Sequence, residues 1–232
     1  MVQYTHRRTR RRKGHTVPKT YAILKKSDPL FASLSLLMEA EMKDDTRRHL
    51  TGLHVVETGK KNIFRLFCTD GHRLHFTDVN VKDLPDGLKP GKYGIEKSAS
   101  VFVLTLEDEP AFLNAERVIP EYFQDLKSRP RISFLDTVKK GDGYRLPSVL
   151  FHLTKIGAAV NTTFLSPFIF LPFFLYKPEE KMNKDGQLDA PILFSVDRAS
   201  FSPSPVFLLI MPFAVDARTW EAEKKSAEEV KA

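Results

Sequence analysis

One cysteine, Cys68, stands among 232 residues. A lone thiol excludes a disulfide framework and a multi-cysteine zinc site, and it predicts a reduced, intracellular, cytoplasmic protein. The N-terminus lacks an apolar segment, so no secretory signal is predicted. The apolar run at residues 164–176 is too short for a membrane span and is interrupted by Pro167 and Pro172. Metal-ligand spacing is missing as well: His49 and His54 are five apart on a predicted strand and so face opposite sides. Carboxylates are not clustered, which counts against a hydrolase or nuclease. Asp70 and His72 make a poor acid/base pair, because spacing puts no nucleophile or third orienting group beside them. The expectation is a non-enzymatic chain with no cofactor and no metal.

What is present is enough for a packed core, with 42% hydrophobic residues and 18 phenylalanines. The length allows one large or two small domains. The net charge of +7 is unevenly placed. Arg7, Arg8, Arg10, Arg11, Arg12 and Lys13 supply six cations in one stretch, and without them 30 basic residues face 29 acidic ones. The body is therefore nearly neutral. Residues 1–18 have no apolar face to bury and are predicted to form a disordered basic arm. Such an arm fits a phosphate-backbone contact that weakens with salt, and equally a solubilising or targeting extension.

Residues 21–24 can start a strand. Ser27 or Asp28 then caps a helix with Pro29 at its first position, and Leu30, Phe31, Leu34, Leu37, Met38 and Met42 recur at helical spacing. Residues 50–57 and 62–68, joined at Gly59, read as an antiparallel hairpin. A tight corner and a strand at 75–79 follow. Residues 93–106 contain strand-like residues and a short helix, and 115–130 form a connector punctuated by Pro120 and Pro130. A second unit has a strand at 132–138, a turn at Gly141 and Gly143, and a helix over 147–160. Its strands lie at 168–175, 192–196 and 206–211, with a charged loop at 177–189. The order strand, helix, three strands thus occurs twice without obvious sequence identity. The expected fold class is α+β, antiparallel sheets packed against two helices.

The run Cys68-Thr69-Asp70-Gly71-His72-Arg73-Leu74 concentrates polar side chains in one turn, where Asp70 is expected to accept local backbone N–H groups. Cys68 reads as a small buried apolar residue. The run resembles the Thr-Asp-Gly-His-Arg-Leu corner of the bacterial DNA polymerase III β-subunit, or sliding-clamp, family. Upstream, Asp45-Thr46-Arg47-Arg48-His49-Leu50-Thr51-Gly52-Leu53 is similar to that family's Leu-X-Gly pattern. At the other end, Val206-Phe207-Leu208-Leu209-Ile210-Met211-Pro212-Phe213 resembles its last strand, which ends in Met-Pro-Met. Ala115-Glu116-Arg117-Val118-Ile119-Pro120 is a weaker match to its Arg-Val-(Leu/Ile)-Pro linker. The chain departs from the family in length, since bacterial clamps carry three full domains.

The resemblance implies a DNA-clamp-like fold of repeated strand-helix-three-strand units, here residues 19–120 and 121–216, followed by a charged tail at 217–232. It implies a non-catalytic replication and processivity factor that assembles as a homo-oligomer around duplex DNA. Such a ring would hold the phosphate backbone loosely and without sequence preference. It also implies an apolar pocket for polymerase or clamp-loader peptides. Carried over residue by residue, that pocket comprises Leu50, Thr69, Gly71, His72, Arg73, Leu74, Pro120, Leu209, Met211, Pro212 and Phe213. DNA contacts would come from Lys25, Lys26, Arg47, Arg48 and His49, together with the basic arm. The alternative is a clamp-derived interaction module that keeps the pocket and never encircles DNA.

Overall fold

Among the described residues, apolar strand-forming runs broken by turn residues give ten strands, with two α-helices. The computed structural model describes residues 20–43, 45–107, 114–134, 145–168, 171–196 and 204–214. The basic arm, the Gly141–Gly143 turn and the charged tail lie outside them. In chain order the elements are β1 (Thr20–Lys25), α1 (Pro29–Leu37), β2 (Leu53–Glu57), β3 (Ile63–Thr69), β4 (Arg73–Asn80), β5 (Gly91–Lys97) and β6 (Val101–Leu106). Then come β7 (Arg131–Ser133), α2 (Arg145–Lys155), β8 (Phe173–Tyr176), β9 (Ile192–Val196) and β10 (Val206–Ile210). Every neighbouring pair is antiparallel, and the order is β1-β6-β5-β2-β3-β4-β10-β9-β8-β7. The α+β antiparallel class is as expected. The strands form one continuous sheet through β4 and β10, where Phe207 faces Phe76 and Leu209 faces Leu74.

The second half keeps the strand, helix, three-strand order. The first half adds a hairpin, because residues 93–106 form β5 and β6 rather than a strand and a short helix. The reason is the period: Phe102 and Leu104 are buried while Val101, Val103 and Thr105 are only half-buried, a two-residue repeat that no helix fits. This hairpin inserts between β1 and β2 in the sheet.

Helix α1 starts at Pro29, whose missing N–H costs nothing there. Asp28 does not cap it with its side chain. Its carboxylate turns back to accept the Lys25 N–H at 2.6 Å. Leu30, Leu34 and Leu37 are buried along one stripe, but the helix stops before Met42, tightening to a 3₁₀ turn at Met38–Ala40. Helix α2 also ends early, because Gly157 takes φ +77° and the Ala158 N–H turns back to the Leu153 carbonyl. Strand β8 begins at Phe173, directly after Pro172, which has no N–H to give a ladder. Of the expected strand at 132–138, only the start lies among the described residues, in β7.

One face of the sheet is covered by the helices. Leu34 and Leu37 of α1 and Val149 and Leu153 of α2 share a buried cluster with Val55, Leu66, Cys68, Phe194, Leu208 and Ile210. The other face is covered by the connector, as 3₁₀ turns at Ala115–Arg117 and Glu121–Asp125. There Ala115, Ile119 and Phe123 pack on Phe67, Leu74, Phe76, Phe207 and Leu209. All five residues of β10 are consequently buried, and the strand reads as an unbroken apolar run.

Candidate functional site

The β3–β4 corner is held by its own side chains. Asp70 Oδ1 accepts the N–H groups of His72 and Arg73, each at 3.0 Å, as expected from the sequence. Asp70 Oδ2 pairs with Arg73 Nε at 2.9 Å. Thr69 Oγ1 donates to the Arg73 carbonyl at 2.7 Å and accepts the Gly71 N–H at 3.1 Å. Gly71 sits at φ +89°, where a side chain would be strained. The Arg73 guanidinium lies 4.6 Å from the centre of the Phe164 ring. Three polar side chains, those of Thr69, Asp70 and Arg73, thus spend hydrogen bonds on the shape of the corner.

Leu50 approaches this corner from a 3₁₀ turn, Asp45–Leu50, and not from the strand to which its sequence assigned it. Two features aim it. Lys92, almost wholly buried, donates from Nζ to the Arg48 carbonyl at 2.6 Å and pairs with Glu107 Oε2 at 2.8 Å. Gly52, at φ +78°, brings the chain so close to β5 that a Cβ there would lie 2.3 Å from the Tyr93 carbonyl oxygen.

Between the corner, this turn, the end of β10 and the connector lies a cleft of about 530 Å³, counting its open mouth. Leu50, Thr69, Gly71, His72, Arg73, Leu74, Leu209 and Met211 line it, eight of the eleven residues assigned to a pocket by sequence. The Met211 N–H donates to the His72 carbonyl at 3.1 Å, which ties the strand end to the corner. Met211 is 41% exposed and Val118, across the mouth, 45%. Three assigned residues lie elsewhere. Pro120 borders a neighbouring recess with Tyr122, Glu179 and Pro191, because the connector turns over after Val118. Pro212 and Phe213 lie past the cleft, since the chain leaves the sheet at Ile210 and the Phe213 N–H reaches the Ala159 carbonyl beyond α2. Sequence reading missed Phe67, Asn114, Ala115 and Val118. Ala115 and Val118 are three apart, so a 3₁₀ turn would align them, and that spacing was the available signal.

The connector wall is fixed from below. Arg65, in the middle of β3, pairs with both oxygens of Asp78 at 2.6 and 2.9 Å and with Glu116 of the connector at 2.5 Å. Its guanidinium lies against the rings of Phe76 and Phe123, at 5.0 and 5.1 Å from their centres. Burial opposes this charge, but Asp78 and Glu116 outweigh it and raise the Arg65 pKa above its usual value.

Other titratable groups are structural. His54 stacks on Phe67 at 4.8 Å, and neither ring nitrogen has a hydrogen-bond partner. Burial, reinforced by the Lys92 charge, lowers its pKa to about 4. His75 Nδ1 bonds the Leu36 carbonyl at 2.9 Å, and burial lowers its pKa to about 3. Cys68 is fully buried, which pushes its thiol pKa well up. His49 is not on a strand as expected. It lies exposed in the 3₁₀ turn, apart from buried His54. Among the described residues no group of three His, Cys, Asp or Glu side chains can hold a metal ion. Nor is any described helix long and apolar enough to cross a membrane.

Of the residues assigned to DNA, the basic arm lies outside the described residues, and the other five are exposed but divided. Lys25 and Lys26 end the edge strand β1 and begin the turn after it, whereas Arg47, Arg48 and His49 precede β2. Strands β6 and β5 lie between β1 and β2. The Arg47 guanidinium lies at the cleft, with Nη1 3.6 Å from where a Gly71 Cβ would be.

No protein-family model matches the chain, and no curated protein matches it. It is similar to solved structures of bacterial clamps. The DNA polymerase III beta chain of Streptococcus pneumoniae is 13% identical, with a TM-score of 0.45 over 90% of this chain and 68% of that one. The beta subunit of Thermotoga maritima is 14% identical, with a TM-score of 0.44 over 88% and 68%. The Helicobacter pylori beta clamp, solved with a DNA ligase peptide, is 11% identical, with a TM-score of 0.46 over 87% and 68%.

Proposed function

We propose that this chain is a non-catalytic, clamp-like replication factor that recruits partner proteins by binding an apolar anchor of a short peptide. The observation that carries the reading is the cleft. Leu50, the Thr69–Leu74 corner and the Leu209–Met211 strand end come from three separate parts of the sequence, and all of them line it. These are the segments whose sequences resemble the clamp family. The cleft has apolar residues on its floor and exposed apolar lips at Met211 and Val118. Burying one Leu or Phe side chain there contributes roughly 1.5–3 kcal/mol. Met211 on the lip can repack around different anchors.

In the fuller form of the proposal, residues 19–120 and 121–216 act as two clamp-like units, and several copies close around duplex DNA in the cytoplasm. Polymerase or loader peptides would then dock on the ring. A second reading is an interaction module that never encircles DNA. The division of the exposed cations into two groups, with Arg47 at the cleft, favours this one.

The test of the cleft is a titration with a peptide bearing a Leu or Phe anchor. Binding is expected, and Met211→Asp should abolish it while leaving the fold intact, because an apolar anchor would have to strip water from the new carboxylate on the lip. Binding that survives Met211→Asp would end the proposal. The two forms separate on duplex DNA. If the arm grips phosphates, deleting residues 6–13 should reduce the salt dependence of binding, by a slope of about 0.9 in log K against log salt for each phosphate that is no longer neutralised. A solution mass of one copy, with no DNA binding, would leave the interaction module.

A further inference from the structure

Glu116 lies between Ala115 and Val118, the two connector residues on the cleft wall. Its carboxylate is half exposed, while its partner Arg65 is buried in the sheet. A charge count shows that Glu116 is not needed to neutralise Arg65. Asp78 already engages Nε and Nη2 in a two-pronged pair that balances the guanidinium. Glu116 takes the remaining arm, Nη1. Removing its charge would therefore leave no buried cation unpaired, and the fold does not require it.

What Glu116 does is join the connector to the sheet at the wall of the cleft. The turn it belongs to is short. The Arg117 N–H reaches the Asn114 carbonyl, and the N–H groups of Val118 and Ile119 both reach the Ala115 carbonyl. A three-residue 3₁₀ turn is a weak element alone, because its hydrogen bonds have poor geometry. Val118 is also one of the more exposed large apolar residues, so packing holds it little.

We propose that the Glu116–Arg65 pair is a latch that fixes the Ala115–Val118 wall against the sheet, and so sets which anchor side chain the cleft admits. With the latch closed, the wall favours a Leu anchor over the broader indole of Trp. With the latch open, that preference narrows. A wall held before binding need not be ordered during it, so the latch strengthens binding of the matching anchor most. This inference rests on reading the cleft as a peptide site.

Glu116→Gln tests it, keeping size and removing charge. Two readouts separate the latch from the cleft reading. The first is amide hydrogen exchange in peptide-free protein. The Val118 and Ile119 amides should exchange about fivefold faster in the variant, with β3 and β4 unchanged. The second is a pair of peptides identical except for Leu or Trp at the anchor. Wild type should prefer Leu, and the variant should narrow that preference by about threefold. Unchanged exchange overturns the latch whatever the peptides do. Faster exchange with an unchanged Leu-to-Trp ratio overturns anchor selection, as a merely structural tether would weaken both peptides alike. Faster exchange with no binding of either peptide to wild type supports the latch and overturns the cleft reading.

Discussion

The two faces of the sheet are covered by different kinds of chain, and they bury different things. Over the helix face, α1 and α2 satisfy their own backbone groups, so what they bury can be almost purely apolar: Leu34, Leu37, Val149 and Leu153 on Leu66, Phe194 and Leu208. Over the connector face, short 3₁₀ turns satisfy fewer of their own groups, and charge enters the interior. Arg65 and Lys92 are buried there, each held by a carboxylate and, for Lys92, a backbone carbonyl. The helix face is sealed, whereas the connector face keeps a cleft with exposed lips. The lesson is that a site persists where the covering chain is too irregular to pack the sheet completely.

The sharpest way to break this contrast is to put the same carboxylate on both sides of one strand end. Leu208 is buried on the helix face, and Leu208→Asp should abolish cooperative folding, a loss above about 4 kcal/mol by urea denaturation. Met211, three residues on, is at the open lip, and Met211→Asp should cost less than about 1 kcal/mol. If the two substitutions unfold the protein equally, Met211 is core and the two faces are not different.

Each face also buries one histidine, and acid should find both. The folded pKa values of His54 and His75, about 4 and about 3, lie below the 6.5 of the unfolded chain. Below pH 6.5 the unfolded state takes up protons that the folded state refuses. Their contribution is thus complete well above pH 6.5 and is lost as pH falls, at about 1.2 kcal/mol for each histidine between pH 6 and 5. Denaturation at pH 7, 6 and 5 measures this slope, and His54→Phe should halve it. An equal slope in the variant would mean that His54 is protonated in the fold.

The smallest expected effect is at the corner. Asp70→Ala removes two hydrogen bonds to backbone N–H groups and the Arg73 pair, all near the surface, and should cost about 1 kcal/mol in thermal or urea unfolding. Asp70→Asn keeps the Oδ1 acceptor and should recover most of the loss. A loss of 3 kcal/mol or more would mark the corner as part of the core, not a preformed rim of the cleft.

These differences also explain what the sequence made legible. Strands β2, β3, β4, β9 and β10 and the start of α1 follow from short-range signals: short apolar runs, the Asp70–Gly71 turn and Pro29 at a helix start. The corner's internal bonds were readable for the same reason. The reach of Glu116 to Arg65 was not, because a pair 51 residues apart leaves no periodic trace. Buried Lys92 was equally invisible, since its residue type argues for the surface and only its partners, Arg48 and Glu107, reverse that. The missing half of the cleft wall, Ala115 and Val118, belongs to a connector that the distant Glu116–Arg65 pair ties to the sheet.

Gly52 carries a consequence for how this chain can mutate. A saturation library screened for folded protein should lose every codon at position 52 except those of glycine, because any β-carbon would collide with the Tyr93 backbone, which has no rotamer to change. At Gly59, where nothing lies within 4 Å, alanine should survive the same screen. Sequence drift therefore has a fixed point two residues from the cleft: Leu50 can be exchanged for another apolar residue, but the turn that aims it admits no alternative.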